Sequence, residues 1–281
     1  MPFGLVSCFL KAIAPLRLVL KPEYGKLIAE KIRGKILGRL TSLNEKDIKD
    51  VNKDEVQSLI FGMQQFLKVG FSFDQCAAMI ETIKLQMALR YLRSSNLEKR
   101  LRGVSDIKNM IEQVIQSAYF AKKKAEKAGT EPPKDHLYLR MLDDDEEEKD
   151  KKATKKVSMP SQFMIIDSMR AWLLENKILE NVLGDNSHIE LVKRAAPIVK
   201  FLIIYGKMNS WVADAIWKCQ DGKHEEMVRS VYGLIREVDH VFDTEIINEF
   251  FKRIYQVPRE AYDTKFMDFL KDLTKTALAC E

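Results

Sequence analysis

The sequence has few of the residues that interrupt helices and none of the short motifs that mark common enzymes. Its 281 residues include only 12 glycines and 8 prolines, the two residue types that most disfavour a helix interior. Phosphate-binding loops of the GxxxxGKS type, GxSxG nucleophile elbows and HExxH zinc motifs do not occur in it. We therefore expect a largely helical protein, and we assign it no catalytic residue and no cofactor.

Cysteine is also scarce, which excludes a fold held together by disulfides. The four cysteines lie far apart and form no CxxC pair, as is usual in a reducing compartment. They are Cys8, Cys76, Cys219 and Cys280. We predict a cytoplasmic location, and a nuclear one stays open because Lys151 to Lys156 could act as an import signal.

Metal binding has little support in the sequence. The best local cluster is Cys219, His224 and the adjacent Glu225 and Glu226, whereas a structural metal site needs about four convergent ligands. A buried cysteine at the end of one helix and a capping histidine at the start of the next explain the same residues. We predict no metal site.

Long apolar runs are missing as well. The most apolar stretch is the N-terminal MPFGLVSCFLKAIAPLRLVLKP, and Lys11, Pro15 and Arg17 interrupt it well short of the roughly 20 residues that a membrane span needs. The stretch also lacks the basic start of a signal peptide. We interpret it as one or two buried helices, bent at Pro15.

The charge differs between the two halves of the chain. The net charge is +5, but residues 1–142 hold 25 basic against 15 acidic residues, and residues 143–281 hold 21 against 26. A mixed, solvated surface explains this, and the alternative is a basic N-terminal patch for nucleic acid or anionic lipid. Aromatic residues are not interleaved with the basic ones as base stacking would require. We expect neither nucleic acid, nor a membrane, nor a small molecule as the partner.

Apolar residues return at spacings of three and four through most of the chain, which predicts amphipathic helices. In the first half we predict helices over 24–40 and 55–69, separated by a polar connector over 44–54. The next helix, capped by Ser72 or Asp74, buries Ile83, Met87 and Tyr91, and we expect Gly103 to break or kink the helix that follows.

The segment GDNSHIELVKR, residues 184–194, is predicted to organise the second half. Gly184 would end the preceding segment in a left-handed conformation, and Asp185, Asn186 and Ser187 are candidate N-caps. A single buried helix would follow from Ile189 to Tyr205.

A second turn, Asp221 to His224, is predicted to set the angle between two helices. Gly222 would take a conformation that other residues resist. His224 with Glu225 and Glu226 lies where a helix N-terminus favours caps and acids.

A charged segment, DDDEEEKDKKATKK at residues 143–156, has too little apolar content to offset the entropy of folding. We therefore predict N-terminal helical repeats over 1–128, a disordered linker over 129–158 and C-terminal helical repeats over 159–281. Paired short helices at a spacing of roughly 40 residues are typical of armadillo or HEAT solenoids.

Three segments resemble a known family. They are LEKRLRGVSDIKNMIEQV at 97–114, AWLLENKILENVLGDNSHIELVKRAAPIVKFLI at 171–203 and ADAIWKCQDGKHEEMVRSVYGLI at 213–235. Together they are similar to the non-catalytic armadillo-like region of the giant fat-facets-type ubiquitin-specific proteases. The most specific parts are Gly184–Asn186, His188–Glu190, and Ile216-Trp217 followed by Gly222–Glu225.

The resemblance implies an armadillo-like fold and a role in ubiquitin-dependent processes, with protein partners that are substrates or regulators of that pathway. The family's protease domain carries a Cys box, GLxNLGNTCY, and a His box, and neither is found in this sequence. Phe3 to Cys8 shares only the Gly-Leu pair and the cysteine with that box. We expect a scaffold and not an enzyme. The alternatives are a fragment of an active cysteine-type ubiquitin hydrolase, or a basic module binding nucleic acid or an anionic membrane.

Four polar residues within or next to the most specific segments form the candidate partner surface. They are His188, Lys193, Lys223 and His224. The sequence gives no indication of the oligomeric state.

Overall fold

The computed structural model describes residues 3–13, 15–16, 19–51, 53–67, 71–129, 165–206 and 209–279. Within these ranges the regular structure is helical and there is no strand, so the predicted all-α fold is confirmed. None of the described helices is both long enough and apolar enough to cross a membrane. The predicted linker over 129–158 lies outside the described residues except for Gly129, and the predicted domain boundaries stay a prediction.

The described residues belong to two compact units. Those up to Gly129, together with Ile165, belong to unit 1, and those from Ile166 onward belong to unit 2. Unit 1 contains six α-helices in its described part. They are α1 (Phe3–Ile13), α2 (Pro22–Ser42), α3 (Glu45–Asp50), α4 (Lys53–Leu67), α5 (Phe73–Leu92) and α6 (Leu97–Ala128).

In unit 1 each long helix buries one apolar face against its neighbours. Helix α1 packs on α4, α2 packs on both α4 and α5, and α5 packs along α6. The predicted stripe residues Ile83, Met87 and Tyr91 are all buried. Ser72 caps α5, as one of the two predicted alternatives: its hydroxyl accepts from the Gln75 amide at 3.2 Å, and the Gln75 side chain accepts from the Ser72 amide at 3.1 Å.

The polar stretch that was predicted to be a connector contains the short helix α3, so that prediction is wrong. Asn44 starts it with a capping box, in which the Asn44 side chain accepts from the Asp47 amide at 2.8 Å. The helix is then held from outside, because Glu45 Oε2 accepts from the Ser94 hydroxyl at 2.9 Å and from the Ser95 amide at 3.1 Å. A six-residue helix has little stability of its own, so these distant contacts decide its conformation.

Gly103 does not break the helix, which was one of the two predicted alternatives. Helix α6 runs without interruption over 32 residues. A Cβ at position 103 would lie 2.6 Å from the Leu92 amide nitrogen and 2.7 Å from the Ala88 carbonyl oxygen. Gly103 therefore lets the backbones of α5 and α6 approach closely, and its role is packing instead of bending.

Unit 2 contains eight α-helices in its described part. They are α7 (Ile166–Glu175), α8 (Ile178–Leu183), α9 (Ile189–Val192), α10 (Ala196–Gly206), α11 (Asn209–Lys218), α12 (Glu225–Val238), α13 (Thr244–Ile254) and α14 (Thr264–Ala279). Two short 3₁₀ turns, Asp239–Val241 and Arg259–Ala261, connect the last three helices.

Each helix of unit 2 packs on several neighbours. Helix α11 packs on α8, α10, α12 and α13, and α12 packs in addition on α9, α10 and α14. An aromatic cluster joins α11, α12, α13 and α14. Trp217 of α11 lies 6.5 Å from Phe250 and 6.4 Å from Phe269 between ring centroids, and Tyr232 stacks on Phe269 at 4.5 Å. Such pairs add stability beyond the area that they bury.

The single helix predicted from Ile189 to Tyr205 is two helices, α9 and α10, separated at residues 193–195. The cause is Pro197, which has no amide hydrogen to donate and whose ring would collide with the carbonyl four residues earlier inside a continuous helix. Proline fits the first turn of a helix, and Pro197 is the second residue of α10.

Replacing Gly103 with alanine should destabilise unit 1. The added methyl group meets backbone atoms of α5 at 2.6 Å and 2.7 Å, which cannot move as a flexible side chain can, so we expect a loss of about 1–3 kcal/mol. Gly34→Ala is the matched control: its Cβ meets nothing within 4 Å on helix α2, and it should stabilise by roughly 0.5–1 kcal/mol. Thermal melting of the two variants tests the assignment, and equal melting temperatures would contradict it.

Glu45→Gln should destabilise unit 1 at pH 7 by about 1 kcal/mol, because the carboxylate accepts charge-assisted hydrogen bonds at the α5–α6 turn. The hydrogen bond from the Ser95 amide, followed by those from the Ser94 and Ser95 hydroxyls, lowers the pKa of Glu45. A lowered carboxyl pKa gives stability that is present above the unfolded pKa and disappears as the pH falls through the folded pKa. The difference from wild type in urea unfolding should therefore shrink below about pH 4. Glu30→Gln, on the exposed face of α2, should change little at either pH.

Candidate functional site

Two loops of unit 2 that belong to the most specific segments of the sequence lie against each other. One is the α8–α9 loop, Gly184 to His188, and the other is the α11–α12 turn, Cys219 to His224. The Lys223 ammonium donates to the Asp185 carbonyl oxygen at 2.6 Å, and the Ser187 hydroxyl lies 3.4 Å from the Cys219 sulfur. The predicted organising segment and the predicted turn are therefore parts of one structure.

Gly184 does not take the predicted left-handed conformation. Its φ is −75° and its ψ is −167°, values that other residues also adopt. The glycine is needed because a Cβ at this position would lie 2.3 Å from the Glu180 carbonyl oxygen. The one non-glycine residue with positive φ among the described residues is Lys177, at 52°, immediately before α8.

The cap of α9 is His188 instead of Asp185, Asn186 or Ser187. Its Nδ1 accepts from the Glu190 amide at 3.2 Å. Glu190 also pairs with Lys193 at 2.9 Å, and the hydrogen bond from Lys193 lowers the pKa of the Glu190 carboxyl. His188 and Lys193, both exposed, therefore flank one short turn of helix whose Leu191 and Val192 are buried.

The second turn agrees with the prediction for Gly222, whose φ is +63°. His224 occupies the N-cap position of α12, but its side chain makes no capping hydrogen bond. Glu225 and Glu226 lie in the first turn, where the helix dipole favours acids. Glu225 also pairs with Arg229 and, at 3.4 Å, with Lys265.

Three of the four candidate partner residues thus lie on the two loops, and the fourth, Lys193, follows α9 directly. His188, Lys193 and His224 are exposed, and Lys223 is half-buried. Within the described residues their hydrogen bonds and ion pairs go to other groups and not to one another. The structure brings the two loops together, and the use of these four residues as a partner surface stays a prediction.

The suggested metal cluster is not assembled. No group of three or more His, Cys, Asp or Glu residues able to hold a metal ion occurs in the described part of the chain. Cys219 is buried, and burial raises the pKa of its thiol, partly opposed by the hydrogen bond with Ser187. A raised thiol pKa reduces the thiolate fraction, which is the nucleophilic form.

The structure also shows a groove that the sequence did not indicate. This α8–α11 groove has a volume of about 590 Å³ and lies beside the two loops. Its floor is largely apolar and includes Leu183, Trp211 and Ala215. Its rim is charged and consists of Glu180, Asp185, Asp214, Asp221, Lys218 and Lys223.

The charges on this rim are not balanced. Asp214 is neutralised, because it pairs with Lys218 at 2.7 Å and with Arg253 at 2.9 Å, and these hydrogen bonds lower the pKa of its carboxyl. Lys223 donates to a main-chain carbonyl. Helical periodicity could not place α8 beside α11, so no pattern in either helix alone reveals the groove.

Gly222→Val should lower the stability of unit 2 by roughly 1 kcal/mol or more, because a β-branched residue resists a φ of +63°. A Cβ at position 222 meets nothing within 4 Å, so the loss of stability would come from backbone strain. His224→Ala should change stability little, since the side chain makes no capping bond. Thermal melting tests both. An unchanged melting temperature for Gly222→Val, with loss of partner capture in His224→Ala, would make the turn a recognition element instead.

Comparison with known proteins agrees with this structure. The family model described as UBP24/USP9X/USP9Y ARM repeat matches residues 78–276. Similar relatives include the probable ubiquitin carboxyl-terminal hydrolase FAF of Drosophila melanogaster, 25% identical over 62% of this chain and 5% of that protein. Ubiquitin carboxyl-terminal hydrolase 9Y of Mus musculus is 24% identical over 73% of this chain and 7% of its own length.

A further relative, ubiquitin carboxyl-terminal hydrolase 34 of Homo sapiens, is 20% identical over 86% of this chain. The chain spans only 5–7% of the length of these three relatives, and no solved structure matches it. The family match covers most of the chain and includes the three segments whose resemblance predicted it. The chain therefore belongs to the UBP24/USP9X/USP9Y ARM-repeat family.

Proposed function

We propose that this chain is a helical-repeat scaffold that binds other proteins in ubiquitin-dependent processes and does not itself cleave ubiquitin. The observation that carries the proposal is the match of residues 78–276 to the ARM-repeat region of ubiquitin hydrolases. Stacked helical repeats offer extended surfaces, and their loops accept sequence change without disturbing the core.

The absence of hydrolytic activity is supported by the sequence and by the setting of Cys219. A nucleophilic cysteine needs a lowered thiol pKa and a base within hydrogen-bond reach. Cys219 is buried, its thiol pKa is raised, and its contact is the hydroxyl of Ser187. Cys8 is exposed on α1. Its segment has the first Gly-Leu pair of the family's Cys box but lacks the two Asn, the second Gly and the Thr that follow in that box.

The partners we propose are proteins that act in the ubiquitin pathway, because the relatives are named as ubiquitin carboxyl-terminal hydrolases. The surface we propose for them includes His188, Lys193, Lys223 and His224. These residues lie on loops that the core holds in place through the Lys223–Asp185 and Ser187–Cys219 contacts. The proposed location is the cytoplasm.

The purified chain should not react with an electrophilic ubiquitin probe and should not release a fluorophore from ubiquitin. Intact-mass measurement after incubation checks the first, and a fluorescence time course checks the second. An active ubiquitin-specific protease run in parallel is the control. Stoichiometric labelling of one cysteine would overturn the proposal that the chain is no hydrolase.

The scaffold role is tested separately by affinity capture with the full chain as bait. Ubiquitin-pathway proteins should be enriched over a bait of unrelated helical repeats. Combined His188→Asn, Lys193→Ala and His224→Ala substitutions, in which asparagine keeps an N-cap acceptor for α9, should reduce that enrichment without changing the melting temperature. Enrichment that is unchanged by the triple substitution would exclude these residues from the surface.

A further inference from the structure

We propose that the α8–α11 groove binds a short basic segment of a partner protein, with a lysine or arginine side chain lying across Trp211. The proposal rests on the proposed function, since it names one binding site of the scaffold and the chemistry of what it binds. Three features of the groove carry it: its size, its apolar floor and the net negative charge of its rim.

The size is adequate for a short peptide. The volume of about 590 Å³ lies within the range of clefts that bind ligands of drug size. Six of its ten lining residues belong to α8 and α11, two helices that pack on each other, and the other four belong to the two contacting loops. Its walls are therefore held by the core of unit 2 and do not need to form on binding.

The floor favours a long side chain with an apolar stem. Leu183 is buried beneath the groove, and Trp211 and Ala215 are half-buried in α11. Lysine and arginine lay their methylene groups along apolar surfaces and keep the charged end in a polar environment. A cation is also attracted to the face of a tryptophan ring.

The rim supplies the complementary charge. Glu180, Asp185 and Asp221 are exposed, and their carboxylates form no ion pair with the described residues. Of the two lysines that line the groove, Lys218 pairs with Asp214. The other, Lys223, donates its hydrogen bond to the main chain of Asp185. Three carboxylates against one lysine leave the groove acidic, in a chain whose net charge is +5.

A metal ion does not fit these carboxylates as well as a peptide does. No group of three or more acidic, histidine or cysteine side chains in the described residues is close enough to hold an ion. Carboxylates spread around an apolar floor match positive charges that are spread along a chain. Repulsion by the same carboxylates disfavours nucleic acid and anionic lipid.

The test uses the full chain and three fluorescein-labelled peptides, GSRLKLRSG, GSQLQLQSG and GSELELESG, which keep the same leucines. Fluorescence anisotropy should show that the basic peptide binds at least tenfold more tightly than the neutral one, and that the acidic one does not bind. Affinity for the basic peptide should fall as NaCl is raised from 50 to 500 mM, because exposed charges are screened.

Charge reversal then locates the site. Glu180→Lys with Asp221→Lys should weaken binding of the basic peptide at least tenfold. The matched control, Glu237→Lys with Glu260→Lys, makes the same change in net charge at exposed positions outside the groove, and affinity should stay within twofold. Trp211→Ala should weaken binding at every salt concentration. If the reversed variant melts earlier than wild type, Glu180→Gln with Asp221→Asn replaces it and should weaken binding about threefold.

The proposal is overturned if the basic peptide shows no binding at 1 mM, or if the groove and control variants lose affinity equally. It also falls if the basic and acidic peptides bind alike. The groove variant is used as bait in the affinity capture as well. Retained capture of ubiquitin-pathway proteins together with failed peptide binding would reject the groove and leave the scaffold function intact.

Discussion

The packing of short amphipathic helices against the helices before and after them is the constraint on which the rest of this structure depends. A single helix such as α8, with six residues, has too few internal hydrogen bonds to persist alone. Four of those residues, Ile178, Leu179, Val182 and Leu183, are buried by neighbouring helices. Stability in such a stack comes from the interfaces between successive elements. A loop that fixes the distance between two neighbouring helices therefore contributes to the stability of the core.

That constraint explains why the two contacting loops of unit 2 need particular residues at particular positions although they lie on the surface. The Ser187–Cys219 contact and the Lys223–Asp185 hydrogen bond join the loop after α8 to the turn after α11. Two residues at these places have a physical reason that is independent of partner binding. Gly184 avoids a collision with the Glu180 carbonyl, and Cys219 fills a buried position. The specificity of these segments as family markers is thus partly structural.

The sequence predicted those features that depend on neighbours in the chain. Helical spacing identified the buried stripe containing Ile83, Met87 and Tyr91, and the chemistry of glycine identified the positive φ of Gly222. It also predicted an N-cap for α5 at Ser72 or Asp74, and Ser72 is the cap, as part of a capping box. Local rules are sufficient in these cases because the interacting atoms lie within four residues of each other.

Two of the failed predictions depend instead on residues that are distant in the chain. A helix break was one alternative predicted at Gly103, because the close contact that this glycine permits involves Ala88 and Leu92 of another helix. Helix α3 was missed because contacts from Ser94 and Ser95 hold it. The break between α9 and α10 differs, since Pro197 was visible in the sequence and apolar periodicity was allowed to outweigh it.

The same distinction governs what sequence can reveal about binding sites in a helical stack. His188 and His224 could be selected because they lie in polar segments between apolar ones. The α8–α11 groove could not, because Glu180 and Trp211 belong to different helices and each has an ordinary place on its own amphipathic surface. Each wall of the groove supplies both charge and apolar surface, Glu180 and Leu183 from α8 and Asp214 and Trp211 from α11. Its chemistry therefore exists only after stacking, and the repeat can change its ligand by substitutions on the rim while every buried stripe stays the same.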